Sequence, residues 1–63
     1  MTKKQALHFF KLYYLPAIRQ TEKENGNGVD EIMRREEWNN YTDSLCKDRK
    51  ITTKQYETWD NPF

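Results

Sequence analysis

Apolar side chains recur through most of this chain at the spacing of helices, not of strands. At about 100° per residue, Ala6, Phe9, Phe10, Tyr13, Tyr14 and Ala17 fall on one broad face of a first helix. Lys4, His8, Lys11 and Arg19 fall opposite. Ahead of that run, Thr2-Lys3-Lys4-Gln5 has the form of a capping box, in which a threonine oxygen and a glutamine side chain satisfy otherwise unpaired N–H groups. The first helix is therefore expected over about 2–22. Pro16 lies inside it, and proline lacks the backbone donor and clashes with the preceding turn, so the helix should kink there or restart with Pro16 in its first turn.

Trp38, Tyr41 and Leu45 share one line with Arg34 and mark a second helix over about 30–47. Asp30 and Glu31 suit its positive N-terminal end. Ile32 and Met33 fall off the stripe and suit packing against another element. Between the two helices, Glu24-Asn25-Gly26-Asn27-Gly28 predicts a loop over 24–28, since Gly and Asn tolerate positive φ and no alternating strands flank them as a hairpin requires. Thr52-Thr53-Lys54-Gln55 is a second capping box, bracketed by Ile51 and Tyr56 at the positions of a hydrophobic staple. It predicts a third helix over about 53–59, stopped before Asn61-Pro62, with Lys47-Asp48-Arg49-Lys50 as a tight turn leading into it. The expected fold class is all-α, a small three-helix bundle spanning 1–63 as one helical domain. Phe10, Tyr13, Trp38, Tyr41, Tyr56 and Trp59 should converge in its interior, with Phe63 folded back onto it.

Size and composition narrow what such a bundle can do. Sixty-three residues lie near the lower limit for independent folding, and nearly every apolar side chain is needed for the one core. With 33% charged residues the chain is polar enough to suggest disorder, but 14% aromatics and the clear helical period argue for a packed core. The net charge is only +1, unevenly divided: residues 1–28 carry five Lys/Arg against two Glu, and residues 29–63 carry six against eight acids. No stretch has the apolar length of a membrane span, and the lone Cys46 forms no internal disulfide, so a reducing, cytoplasmic setting without membrane partners is expected.

Candidate chemistry is sparse. One His and one Cys, 38 positions apart, do not make a zinc site, and neither a metal nor a cofactor is expected. Cys46 as a nucleophile would have only His8 for a base, and a small free cysteine at a core edge is the plainer reading. Glu36 and Glu37 are adjacent and point about 100° apart on a helix, so they do not form an acid–base pair. Asn-Gly-Asn-Gly lacks the lysine and the preceding strand of a phosphate-binding loop. No catalytic residue emerges, and the chain reads as a binding protein, not an enzyme.

Two surfaces are candidates for binding. Leu12 and Leu15 fall off the aromatic stripe among His8, Lys11 and Arg19, an apolar anchor with a basic rim suited to an acidic patch on another protein. The other reading of this helix is burial nearly all round. Around the turn before the third helix, Lys47, Arg49, Lys50 and Lys54 form a basic cluster suited to nucleic-acid phosphates, with Asp48, Glu57 and Asp60 diluting it. Self-association into a homodimer is a third arrangement, since so small a core gains from a partner copy. Asn61-Pro62-Phe63 also matches a short peptide signal read by trafficking domains, against the plainer reading that Phe63 tucks into the core.

Trp38 to Asp48, continued by Ile51-Thr52, Gln55-Tyr56, Trp59 and Asn61-Pro62-Phe63, resembles small accessory proteins encoded by tailed bacteriophages. The resemblance covers the second half of the chain. Such proteins favour Gly after the Lys-Asp pair, where this chain has Arg49, so a left-handed turn there is costlier. The resemblance implies an intracellular protein that binds and inhibits a host enzyme or defence complex in the host cytoplasm. It supplies no catalytic residues.

Overall fold

The computed structural model describes residues 1–26 and 28–63. They form α1 (Lys3–Tyr13), α2 (Leu15–Asn25), α3 (Glu31–Lys47) and α4 (Thr53–Thr58), with no strand among them. The fold is all-α, a small helical bundle of four helices where three were expected. The extra helix comes from Pro16. It occupies the first turn of α2, and Tyr14 serves at once as the C-cap of α1 and the N-cap of α2. The proline therefore restarts the helix, where its fixed φ and missing donor cost nothing.

Both threonine boxes form. Thr2 Oγ accepts from the Gln5 N–H and the Gln5 side chain accepts from the Thr2 N–H, and Thr52 and Gln55 repeat the arrangement. Asp30 caps α3 by accepting from the Met33 N–H at 3.0 Å. The expected loop begins later than residue 24. Glu24 and Asn25 remain in α2, and Gly26 closes the helix with φ 71°, donating to the Glu22 and Lys23 carbonyls. Asn27, within the expected loop, lies outside the described residues.

α3 runs antiparallel to the bent α1–α2 pair. Its start is tied to the end of α2 by Glu22, and its far end lies beside the beginning of the chain, where Gln55 donates to the Met1 carbonyl. Phe10 sits between the two layers, fully buried, with its ring 5.4 Å from Trp38 in an edge-to-face contact and 5.6 Å from Tyr41. Ala6, Leu15, Ile18, Leu45 and Ile51 complete the buried core. Ala6 is small enough to let the helices approach at that level. The hydroxyl of buried Thr42 donates back to the Trp38 and Asn39 carbonyls of its own helix.

Residues 59–63 cross back over α3. Asn61 donates to the Arg35 carbonyl and accepts from the Phe63 N–H, while Arg35 Nε donates to the Phe63 carbonyl. Phe63 packs 5.4 Å from Phe10 and 6.4 Å from Trp38. The Asn-Pro-Phe segment is thus part of the packing, as the plainer reading held. The expected convergence of rings is only partial. Phe10, Trp38 and Tyr41 are buried and Trp59 packs against them, but Tyr13 is 68% exposed and Tyr56 also faces solvent.

The link between α2 and α3 is ionic. Arg34 Nε and one of its terminal nitrogens donate to the two oxygens of Glu22 at 2.9 and 2.8 Å, and the Asp30 N–H donates to the same carboxylate at 2.6 Å. The Arg34 guanidinium, joined by the Asp30 amide, holds the Glu22 carboxyl below its ordinary value of 4.5. A depressed carboxyl contributes stability that is present above the ordinary value and lost as pH falls through the folded one. The melting temperature should therefore fall as pH drops below about 4.5. Glu22→Gln should melt lower than wild type at neutral pH and lose less on acidification. Parallel melting profiles for the two proteins would refute the assignment.

The turn from α3 to α4 closes through Arg49 at φ 60°. The Arg49 N–H donates to the Cys46 carbonyl and the Lys50 N–H to the Leu45 carbonyl, the pair of bonds that ends a helix on a left-handed residue. An L side chain in that conformation costs about 1–2 kcal/mol, against roughly 0.5–1 kcal/mol for the greater unfolded freedom of glycine. Arg49→Gly should accordingly stabilise the fold by about 0.5–1 kcal/mol, raising the melting temperature by a few degrees in calorimetry. A lower melting temperature would show that the Arg49 side chain contributes more than the strain it imposes.

Candidate functional site

The surface chosen from sequence splits when the helices pack. Leu12 is 53% exposed and stays on the outside of α1, but Leu15 is 4% exposed and belongs to the core. The restart at Pro16 explains this correction, because Leu15 opens α2 and turns inward with Ile18, no longer following the period of α1. His8 and Lys11 are exposed on α1, and Arg19 is exposed on α2 near enough to act on Glu22 electrostatically. The three basic candidates are thus all exposed, and the second leucine is not.

Phe9 and Tyr13 take the place of Leu15. Tyr13 was expected in the core and Phe9 on the same aromatic face, yet Phe9 is 40% exposed and stacks on Tyr13 with ring centroids 6.1 Å apart. The cause is the width of the aromatic face. It spans about 140° from Phe9 to Tyr14, and one facing helix covers only the part centred on Ala6 and Phe10. Phe9, Leu12 and Tyr13 then form an exposed row at i, i+3 and i+4 of α1. From residue 1 to residue 21 the chain has Lys3, Lys4, Lys11 and Arg19 and no Asp or Glu. That absence is the sequence signal that would have separated this flank from an ordinary solvated one.

Beside the row, α1 and the second half of α3 leave an open groove of about 380 Å³. Phe9, Tyr13, Tyr14 and Tyr41 line it, with Ser44 on α3 and Asp48 and Lys50 at the far end. Tyr14 and Tyr41 meet at 4.9 Å. Burial, helped by the neighbouring Tyr14, pushes the Tyr41 phenol above its ordinary value, so it remains a neutral hydrogen-bonding group. The groove floor is therefore apolar and aromatic, with phenol and hydroxyl groups along its edges. A second apolar spot, Val29 and the 71% exposed Ile32, sits at the start of α3 beside Asp30 and Glu31.

The basic cluster at the α3–α4 turn is less uniform than its sequence suggested. Lys47 is paired with Asp43 at 2.9 Å, which raises its pKa, while Arg49, Lys50 and Lys54 are exposed. α4 has only six residues, a short platform for reading a groove of DNA. Cys46 is a half-buried free thiol packed against the core. Among the described residues no three His, Cys, Asp or Glu side chains gather as metal ligands, and no helix is long and apolar enough to cross a membrane.

Comparison with known proteins adds no relative: no family model, curated protein or solved structure matches the chain.

Proposed function

We propose that this chain is a stoichiometric protein-binding module, which acts by covering a surface of another protein through the outward flank of α1. The observation that carries this reading is the row of Phe9, Leu12 and Tyr13, exposed together on α1, a helix that itself carries cations and no carboxylate. Large rings and leucines at the centre of a patch, rimmed by polar groups, are the usual anatomy of a contact that excludes water. Lys11 and His8, with Lys4 on the same helix and Arg19 on the next, favour a partner surface that is acidic, and charge of this kind acts mainly on the rate of encounter. The phage-protein resemblance of the second half gives the biological setting: an accessory protein that binds a host protein in the host cytoplasm, inhibiting an enzyme or a defence complex.

The test compares wild type with Leu12→Asp/Tyr13→Asp as bait in bacterial extracts, followed by reconstitution of the captured complex from purified parts. The double variant should keep its helical circular dichroism, because both positions are exposed. With two central anchors worth about 2 kcal/mol each, its affinity should fall at least about 100-fold. A 1:1 complex whose association slows with added salt supports the reading, and a partner that binds the variant equally well refutes it.

A nucleic-acid-binding regulator is the second reading, favoured by the exposure of Arg49, Lys50 and Lys54 on one turn. Titration with duplex DNA at rising salt separates the two. Three engaged phosphates would give a slope of roughly −3 in log K against log salt, and an absence of binding at low salt removes this reading.

A further inference from the structure

We infer that the shallow pocket where α1, α2 and α3 meet, with the Glu37 carboxylate as its charge, receives an arginine side chain from the protein partner. This rests on the protein-binding reading above and adds one residue of the partner to it. The pocket holds about 210 Å³. Ligand pockets begin at about 300 Å³, so this one suits a single side chain. Tyr13 and Tyr14 line it with aromatic surface, Ala17, Ile18 and Met33 line it with aliphatic surface, and Glu37 stands on the α3 side.

Glu37 is half-buried, yet among the described residues no hydroxyl, amide or cation pairs with its carboxylate. Its neighbours at i−4 and i+4 on α3 are Met33 and Tyr41, and Arg34 is already joined to both oxygens of Glu22. On α2, Arg19 and Lys23 fall about 120° or more round the helix from Ala17 and Thr21. On α1, Lys11 falls about 160° from Tyr13. The Thr21 hydroxyl donates within α2, to the Ala17 carbonyl at 3.2 Å. The chain's own donors thus leave Glu37 to a cation from outside. Arginine fits the rest of the lining. Its aliphatic stem packs on Ile18 and Met33, and its planar, weakly hydrated guanidinium can lie on a phenol ring while forking onto the carboxylate. An ammonium holds its water more tightly and offers no such fork. The α1 cations face another part of the partner, because His8 and Lys11 lie on the far side of that helix from Tyr13. Acidic groups there and an arginine here are compatible.

The experiment is an NMR titration of the isotope-labelled chain with acetyl-arginine amide, acetyl-lysine amide and acetyl-norleucine amide. Each is taken to about 20 mM, since a single side chain binds on the order of millimolar. Arginine should shift the amide signals of residues 13–21 and 33–37, and leave those around the exposed Glu57 in place. It should bind at least about threefold more tightly than lysine, and norleucine should not saturate. Glu37→Gln should weaken arginine at least about fivefold, and Ala17→Leu, which fills the pocket, should abolish its binding. Ala17 is exposed and Glu37 unpaired, so both variants should keep the wild-type circular dichroism. No shift at all, equal shifts around Glu57, saturable norleucine binding, or an unchanged affinity in Glu37→Gln would overturn the site. Lysine binding as tightly as arginine would overturn the guanidinium. Signals at residues 13–21 that move with protein concentration alone would overturn the inference in favour of a second copy of the chain. The protein-binding reading survives each of these results if Leu12→Asp still weakens the captured partner, since Leu12 does not line the pocket.

Discussion

Every other feature of this protein depends on Phe10 being enclosed between two layers that are each one helix thick. Its ring meets Trp38 edge-on, Tyr41 at a tilt and Phe63 from the returning tail, so three segments distant in sequence are fixed by one side chain. A chain this short cannot surround α1 with helices. α3 covers the side that holds Ala6 and Phe10, the tail closes over Phe10, and the next sector of the helix is left to solvent. The exposed aromatic flank is thus a geometric result of enclosing Phe10 with few residues, and function is proposed where the enclosure stops.

The ion pair at the other end solves a different problem. α2 ends near α3 with few apolar residues to bury, because Thr21, Glu22, Lys23 and Glu24 dominate the last turns. Glu22 and Arg34 are joined at two points, and the Asp30 amide occupies the same carboxylate. Bidentate geometry and a third donor satisfy the charge as it leaves water, which is the condition for such a pair to persist at low exposure. The result is directional: it fixes where α3 starts relative to α2, which an apolar contact would do less sharply.

Much of the architecture was legible in the residues. The two threonine boxes, the restart at Pro16, the Trp38–Tyr41–Leu45 stripe and the return of Phe63 each follow from local chemistry that tertiary packing did not override. The candidate flank was legible only in part. His8, Lys11 and Leu12 came out where the helical period puts them, but Leu15 was misplaced because a restarted helix resets its phase. Tyr13 was assigned to the core because periodicity gives the direction of a face and not the width that a neighbour covers. Glu22 was invisible for a related reason, since nothing local in a polar helix end announces a partner twelve positions away.

Closing α2 on Gly26 also protects the chain covalently. An asparagine followed by glycine ages when the glycine nitrogen attacks the asparagine side chain and closes a cyclic imide. That attack needs a nitrogen free of other bonds and a backbone able to swing. At Asn25–Gly26 the nitrogen is engaged with two carbonyls of the preceding turn, and Asn25 is held in helical conformation. The hydrogen bonds that terminate the helix therefore also slow deamidation at a junction whose composition would otherwise invite it.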